Sequence, residues 1–316
     1  MASRLMLLDS ASLYYRAFYG VPDRFAAVDG TPTNAIRGFI DMVAQLIERF
    51  SPDEMVACWD DDWRPQFRVE LVPSYKAHRV AQEVDPNTAE GSDSSGDDDI
   101  EEMPDALSVQ EPVIADVLTA VGIPVVGATG FEADDVIAQL ARDHVGGVDV
   151  VTGDRDLFQL VDDSRGVRVL YTARGLAKLG LVDATWVENK YGVTPQHYAD
   201  FALLRGDASD GLPGVSGVGE KTAARLVNEY GSIAAIGKAA DDPDSGLSKR
   251  IRANLLAAGD YLQRADPVVR LDHVVVVPPG PYPLPHEPQQ AAALTQLAAE
   301  YRIERQIKRL TQALAD

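Results

Sequence analysis

The sequence predicts an α/β fold in which a mostly parallel sheet carries helices on both faces. Short apolar runs alternate with helical patterns along the first half of the chain. The runs that predict strands span residues 4–8, 55–59, 123–126 and 148–152. Apolar residues at helical spacing predict helices over residues 33–50, about 109–120 and from 132 onwards. Strands that alternate with helices are typical of parallel sheets, because each helix connects two strands across one face.

Length and composition are those of a protein with a substantial buried core. The chain has 316 residues, of which 46% are hydrophobic, so we expect one large α/β domain and a smaller one. No apolar run reaches the length of a membrane span, and the short apolar start is soon interrupted by an acid, so a cytoplasmic protein is expected. A single cysteine, Cys58, excludes an internal disulfide, and the histidines show no zinc-ligand spacing. Any metal ion should therefore have oxygen ligands.

The formal net charge of −20 is concentrated in two sets of acids. Residues 81–105 contain ten acids and no Lys or Arg, and this Ser/Gly/Asp-rich tract predicts a mobile insertion. A second set of nine acids lies in short clusters near the ends of predicted strands and near the glycine-rich stretch at 211–219. Without both sets the chain would be close to neutral, so the acidic total does not exclude a polyanionic partner.

The second set of acids predicts a metal site at one edge of the sheet. Asp9 and Asp60 end two apolar runs, Glu132 opens a helical pattern, and Asp154 follows a third run. Any one of these acids alone is more simply a helix cap or a turn residue. Together, carboxylates at the carboxyl ends of parallel strands would repel one another unless cations neutralise them. Two hard divalent ions would suit such ligands, and would activate water for phosphodiester hydrolysis.

Three motifs carry a resemblance to a known family. They are FEADDV at 131–136, TGDRDLFQL at 152–160 and RGDASDGLPGVSGVGEKTA at 205–223. In this order they resemble the bacterial and phage 5′-nuclease family, which comprises flap endonucleases and 5′-3′ exonucleases and includes the N-terminal part of bacterial DNA polymerase I. The resemblance runs from about residue 4 to about residue 230. It implies a PIN-like 5′-nuclease fold with a helical arch and a helix-three-turn-helix, and a stand-alone enzyme that removes 5′ flaps and primers in DNA replication and repair.

The resemblance also implies a set of metal ligands for Mg²⁺ or Mn²⁺. The first site would comprise Asp9, Asp60, Glu132 and Asp134. The second would comprise Asp135, Asp154, Asp156, Asp207 and Asp210. Because the set is complete, an active enzyme is expected. The distance from WDDDW to Phe67 is one residue longer than the family's usual pattern, so Asp61 remains an alternative to Asp60.

The glycine-rich stretch resembles the family's DNA-binding hairpin between two helices. Glycines let backbone amides approach a phosphate closely, and the following helix adds a favourable dipole. The DNA-binding residues implied here are Gly214, Gly217, Gly219, Lys221 and Thr222. A K⁺ ion bound by carbonyls of the hairpin is also implied. The alternative is a glycine-rich turn before a helix, and Gly211 stands where the family usually has Asn.

Basic and aromatic residues interleave over residues 64–79, which suits binding to a nucleic acid strand. In the family this segment forms the base of the arch. Lys76 resembles the lysine that contacts the scissile phosphate, with Arg68 and Arg79 as electrostatic helpers and Tyr75 as a stacking residue. Tyr15 and Arg16 match residues that contact the substrate end. The alternative is a solvated basic helix face.

These features predict a domain division and a set of partners. Residues 1–180 would form the catalytic domain, with the arch at 64–106, and residues 181–316 a helical DNA-binding domain with C-terminal helices. The expected substrates are branched, 5′-flap, nicked or gapped DNA, and RNA primer flaps are included. A monomer without membrane contact is expected in the cytoplasm near the nucleoid, with a functional link to a DNA polymerase and ligase. The alternatives are a non-catalytic structure-specific DNA-binding protein and a PIN-like ribonuclease.

Overall fold

The computed structural model describes residues 3–80 and 103–315. The acidic insertion predicted at 81–105 therefore lies almost entirely outside the described residues. Within the described ranges, no helix combines the length and the apolar character that a membrane span requires.

A single six-stranded sheet organises the first part of the chain. Its strands are β1 (Arg4–Asp9), β2 (Glu54–Cys58), β3 (Val125–Val126), β4 (Gly147–Thr152), β5 (Val167–Tyr171) and β6 (Gly180–Val182). Their order across the sheet is β3-β2-β1-β4-β5-β6. Every neighbouring pair is parallel except β5 with β6. The predicted mostly parallel sheet is confirmed.

Helices connect the strands and form most of the rest of the described chain. Those of the sheet region are α1 (Ser10–Gly20), α2 (Asn34–Phe50), α3 (Gln66–Leu71), α4 (Asp105–Ser108), α5 (Glu111–Val121), α6 (Ala133–Asp143) and α7 (Ala184–Tyr191). Those that follow are α8 (Tyr198–Arg205), α9 (Glu220–Tyr230), α10 (Ile233–Asp241), α11 (Lys249–Ala257), α12 (Gly259–Val269), α13 (Ala291–Glu300) and α14 (Glu304–Ala315).

The core lies on both faces of the sheet. Successive residues of a strand point to opposite faces, and in β1 Leu5 and Leu7 pack in one cluster with α6 while Met6 and Leu8 pack in another with α1 and α2. All four side chains are buried. A continuous apolar run is therefore the pattern of a strand covered on two sides, as the sequence of β1 predicts.

The helical region does not include the whole C-terminal part of the chain. Helices α8 to α12 pack together, and α12 also contacts α3. Helices α13 and α14 return to the sheet region, where they pack against α5 and α2. Buried residues such as Leu294 and Leu310 belong to the same cluster as Met6. Residues 291–315 therefore pack against the sheet region, and the division into residues 1–180 and 181–316 stays a prediction.

Candidate active site

The carboxyl ends of β1, β2 and β4 bring three predicted ligands to one edge of the sheet. Asp9 is the last residue of β1, and its register partner on β2 is Cys58, two residues before Asp60. Asp154 lies two residues beyond the end of β4. All three acids line one cavity of about 260 Å³, together with Glu132 and Asp134. Five of the nine predicted metal ligands therefore share a single cleft.

Asp9 is held in place from two sides. Its Oδ1 accepts a hydrogen bond from the backbone N–H of Ser12 at 3.1 Å, which caps the start of α1. The hydroxyl of Thr152 donates to its Oδ2 at 2.6 Å and accepts from the N–H of Asp154 at 2.8 Å. Thr152 thus ties together the acids that follow β1 and β4.

The N-terminus of α6 supplies the next acids. Glu132 is the N-cap residue, and its side chain and that of Asp135 form a reciprocal capping box. Asp60 Oδ1 accepts from the N–H of Ala133 at 2.7 Å, so this acid also binds the start of α6. Asp61 is exposed and does not line the cavity, and this placement favours Asp60 as the ligand.

Lys76 and Tyr75 bind the two oxygens of Glu132. Lys76 Nζ donates to Oε2 at 2.5 Å, and the Tyr75 hydroxyl donates to Oε1 at 2.8 Å. Lys76 has φ of 48°, a left-handed conformation that is uncommon for a side chain with a Cβ. Such strain is found where function or packing imposes it, and here it places the ammonium in the cleft. Tyr75 is only 5% exposed, so the predicted base stacking is not available to its ring in this conformation.

Arg68 and Asp135 face each other in the interior. The guanidinium donates to both oxygens of Asp135 at 2.8 and 2.9 Å, and its Nε donates to the carbonyl of Val268 at 3.1 Å. Both side chains are almost fully buried, with exposures of 2% and 0%. Sequence reasoning assigned Arg68 to transition-state stabilisation and Asp135 to a metal. The bidentate pair satisfies both groups. Arg68 Nη1 also lies 3.3 Å from Glu132 Oε1, and Arg68 lines a narrow pocket with Lys76 and Asp154, so the roles of Arg68 and Asp135 stay predictions.

Two of the three remaining acids of the predicted second site line a narrower extension of the cleft. Asp156 and Asp210 line it with Asp154, and Arg79 Nη2 reaches Asp210 Oδ1 at 3.4 Å. Asp156 Oδ1 is buried with no hydrogen-bond partner among the described residues. Asp207 does not line this extension. Its carboxylate accepts from Arg155 at 2.9 Å and from Arg205 at 3.1 Å.

The electrostatics of the cleft divide these acids into two groups. Burial raises the pKa of Asp9 to about 6, that of Asp60 to about 7 and that of Asp210 to about 6. Burial and the negative charge of Asp154 raise the pKa values of Asp134 and Asp156 well above the usual range.

Two further acids have positively charged partners. Burial opposes ionisation of Glu132, but the charges of Lys76 and Arg68 outweigh it and lower its pKa. Burial is likewise overcome at Asp207, whose pKa is lowered by hydrogen bonds from Ser209 and by its two arginines.

This donor set fits divalent cations. Its buried carboxylates have raised pKa values, and one buried carboxylate oxygen has no partner among the described residues, so a nearby cation would stabilise their ionised forms. In the conformation described, no three His, Cys, Asp or Glu side chains within 3–80 and 103–315 converge closely enough to hold one ion. The ammonium of Lys76 pairs with Glu132 and supplies positive charge to the cleft.

Two residues predicted to contact the substrate also line the cleft. Tyr15 and Arg16 lie on α1 and face the cavity with Arg79. Arg16 Nε is buried and has no hydrogen-bond partner within the part of the chain that the structure describes. A buried guanidinium donor of this kind suits an anionic oxygen from outside the protein.

The predicted DNA-binding hairpin connects α8 and α9. Gly214 has φ of 65°, and a Cβ at this position would lie 2.5 Å from the carbonyl oxygen of Arg205, so close backbone packing requires glycine there. Gly217 also has a left-handed φ, of 72°. Gly219 differs, because its φ is −94° and a Cβ would meet no atom within 4 Å in the part of the chain that the structure describes. Lys221 is exposed, and Thr222 N–H donates to the carbonyl of Gly219 at 3.0 Å at the start of α9.

The structure explains why glycine stands at position 211, where the family usually has Asn. Its φ is 70°, and a Cβ would lie 1.9 Å from the carbonyl oxygen of Ser74. The Ser74 hydroxyl donates to the carbonyl of Gly211 at 2.8 Å. The segment before Lys76 therefore packs directly on the loop that carries Asp210, and a larger residue would separate them.

Three residues in or beside the cleft are not among the residues predicted from the sequence. Trp63 and Ser12 line it, and the carbonyl of Trp63 accepts from Lys76 Nζ at 3.3 Å. Thr152 bridges Asp9 and Asp154 from below. Thr152 directly precedes Gly153 and Asp154 at the end of a strand, and this position in the sequence indicates that it lies near the acids. Nothing in the sequence indicated the direction of the Trp63 side chain.

Two family models together cover almost the whole chain. The 5′-3′ exonuclease N-terminal resolvase-like domain matches residues 4–192, and the 5′-3′ exonuclease C-terminal SAM fold matches residues 193–311. The chain belongs to the 5′-3′ exonuclease family. The resemblance inferred from the three motifs is confirmed, and the protein is a nuclease, a hydrolase of phosphodiester bonds.

Individual relatives agree with this assignment. The chain is 53% identical to the 5′-3′ exonuclease of Streptomyces coelicolor, with 98% of this chain and 99% of that protein covered. It is 41% identical to DNA polymerase I of Mycobacterium bovis over 79% of this chain and 26% of the polymerase. Its fold is similar to that of the bacteriophage T5 flap endonuclease solved with DNA and metal ions. That match has a TM-score of 0.61 at 18% identity, with 99% of this chain and 100% of that chain covered. The predicted PIN-like 5′-nuclease fold is confirmed.

Proposed function

We propose that this 5′-3′ exonuclease family member is a structure-specific 5′ nuclease that cuts branched DNA, such as 5′ flaps, in replication and repair. One observation carries the proposal. A single cleft combines carboxylates suited to divalent cations with the cationic side chains of Arg16, Lys76 and Arg79, which suit a phosphodiester.

Asp9, Asp60, Glu132, Asp134 and Asp154 would hold one or both of two divalent ions, with Asp156 and Asp210 completing the set. When bound, Mg²⁺ or Mn²⁺ would supply activation of water and stabilisation of the leaving oxygen. Asp135 and Asp207 would lie farther from the ions than the other acids, since their oxygens already accept hydrogen bonds from arginines. Positive charge at the cleft would also release Lys76 from Glu132, because the ions would compete with its ammonium for the same carboxylate.

The protein's own cations then act on the phosphate. Arg16 Nε is buried without a partner among residues 3–80 and 103–315, and Lys76 is only 12% exposed. Both would therefore meet a phosphate oxygen in a poorly solvated environment, where a charge-assisted hydrogen bond is strong. Lys76 would offset the negative charge that develops on the phosphoryl oxygens during hydrolysis, and the product would carry a 5′-phosphate. Arg68 would act indirectly rather than on the phosphate, because it holds Asp135 and the start of α6 in place.

The hairpin would bind the duplex next to the branch. Gly219 leaves open space in front of the N-terminus of α9, which suits the close approach of a DNA phosphate. Carbonyls of the hairpin would hold K⁺ as a bridge to that phosphate. RNA primer flaps are included among the substrates, and we propose a monomer near the nucleoid with a functional link to a DNA polymerase and ligase.

The test is to incubate the full chain with a double-flap DNA labelled on the 5′-flap strand, with and without Mg²⁺ or Mn²⁺, and to size the products. A discrete metal-dependent cut at or next to the junction supports the proposal. Binding without cleavage in either metal would favour a non-catalytic structure-specific DNA-binding protein. Cleavage restricted to an RNA version of the flap would favour a PIN-like ribonuclease.

A further inference from the structure

The hairpin that would grip DNA has little positive charge of its own. Residues 213–219 read PGVSGVG and contain no charged side chain. Helix α9 then opens with Glu220 and Lys221, whose charges cancel. The acids Asp207 and Asp210 precede the hairpin. A surface that binds a polyanion through this loop therefore needs positive charge from elsewhere in the fold.

Helix α11 lies directly against the hairpin. Asn254 Nδ2 donates to the carbonyl of Ser216 at 2.7 Å. A Cβ on Gly217 would lie 3.3 Å from that same amide nitrogen and 3.7 Å from Nη2 of Arg250. Asn254 and Arg250 are four residues apart, so both project from one face of α11, toward the tip of the hairpin.

The first turn of α11 carries positive charge next to the hairpin. It reads KRIR, so three of its first four residues are basic: Lys249, Arg250 and Arg252. Lys249 and Arg250 are exposed. No salt bridge joins any of the three to an acid in the described ranges, the neighbouring aspartates at 241–244 included. Other exposed arginines of the helical region do have such partners, as Arg225 has Glu229 and Arg264 has Asp260.

We propose that Arg250 forms a second DNA-backbone contact beside the hairpin, with the first turn of α11 as its basic platform and Asn254 as the residue that fixes the hairpin against it. The ligand is a phosphate of the duplex strand that the hairpin holds. The contact is independent of sequence, because a guanidinium on a phosphate reads no base edge. This inference rests on the proposed function, since it adds a contact to the same DNA.

The experiment measures binding of the full chain to the double-flap DNA without divalent ions, over a series of salt concentrations. A phosphate contact contributes about 0.9 to the slope of log affinity against log salt. Arg250→Ala should lower that slope by about this amount and weaken binding about 5- to 10-fold at moderate salt, as expected for one charge-assisted contact. Arg250→Lys should keep the slope, because it keeps the charge.

Arg305→Ala is the matched control. Arg305 is exposed on α14, which packs against α2, and this variant changes the net charge by the same amount. Its slope should equal that of the wild type. A slope for Arg250→Ala equal to the wild-type slope would overturn the inference while leaving the proposed function intact. If the wild type bound no branched DNA at any salt concentration, the proposed function would fail with it.

Discussion

The cleft at the edge of the sheet and the hairpin between α8 and α9 differ in charge and in burial, although both are proposed to bind a polyanion. The cleft is buried and acidic, and several of its carboxylates have pKa values raised by burial. The hairpin tip is uncharged, and at Gly219 it leaves space that no atom of the described ranges fills. The difference indicates that the cleft depends on cations from solution, whereas the hairpin depends on backbone shape and on charge from the neighbouring helix α11.

The largest effect should come from the cleft. Asp154→Asn removes a carboxylate at the centre of the cluster, and we expect kcat for flap cleavage to fall by about 1000-fold or more while DNA affinity changes little. The matched control is Asp116→Asn, an exposed aspartate on α5 outside the cleft, which should cleave at the wild-type rate. Product formation under single-turnover conditions measures the cleavage rate of both variants. Wild-type turnover by Asp154→Asn would remove this residue from the ligand set.

The buried pair beneath the cleft should dominate stability. Arg68→Ala leaves Asp135 buried without its partner, and we expect the free energy of unfolding to fall by about 3–5 kcal/mol. Arg225→Ala breaks the exposed pair with Glu229, and its cost should stay below about 1 kcal/mol.

Urea unfolding of the two variants makes the comparison between Arg68 and Arg225. Adding Asp135→Asn to Arg68→Ala should recover part of the loss, because it removes the unpaired charge. Equal costs for Arg68→Ala and Arg225→Ala would contradict the assignment of Arg68 as a buried positioning residue.

Stability should depend on pH and on divalent ions through the same acids. The pKa values of Asp9 and Asp60 in the folded state, about 6 and about 7, exceed the ordinary value of 3.8. The folded state therefore binds more protons between about pH 4 and pH 7, and the contribution of these acids to the free energy of unfolding falls as pH rises through that window. A shift of two pKa units corresponds to about 3 kcal/mol.

Mg²⁺ would bind the ionised acids, so we expect the rise in Tm on adding Mg²⁺ to be larger at about pH 8 than at about pH 5. Thermal unfolding at both pH values, with and without Mg²⁺, measures this difference. The double variant Asp9→Asn with Asp60→Asn should lose most of it. A rise in Tm that is the same at both pH values in the wild type would show that these acids do not bind the ion.

The smallest effects are expected in the hairpin, where substitution of Gly219 should change DNA affinity and substitution of Gly214 should change Tm. Gly219→Ser adds a side chain that can cap α9, and its Cβ would meet no atom of the described residues within 4 Å. Tm should therefore stay within a few degrees of the wild type while DNA affinity falls about 10-fold. Gly214→Ala should instead lower Tm, because its Cβ would lie 2.5 Å from a carbonyl oxygen at a left-handed φ. Unchanged DNA affinity in Gly219→Ser would argue that no phosphate approaches this position.

The sequence by itself determined the sheet, the acids at its edge and the hairpin. Strands and helices follow from local periodicity, and an acid that follows a parallel strand must lie at the edge where its neighbours also end. For this reason Asp9, Asp60 and Asp154 could be placed together before any contact was known.

Only the tertiary structure decided which charges meet. Arg68 and Asp135 are 67 residues apart, and their pairing depends on how α3 packs between α6 and α12. The burial of Tyr75, the return of α14 to the sheet and the contact of α11 with the hairpin have the same origin. Local sequence patterns specify which side of an element is apolar, but the partner across a contact is set by packing between distant segments, which no single pattern contains.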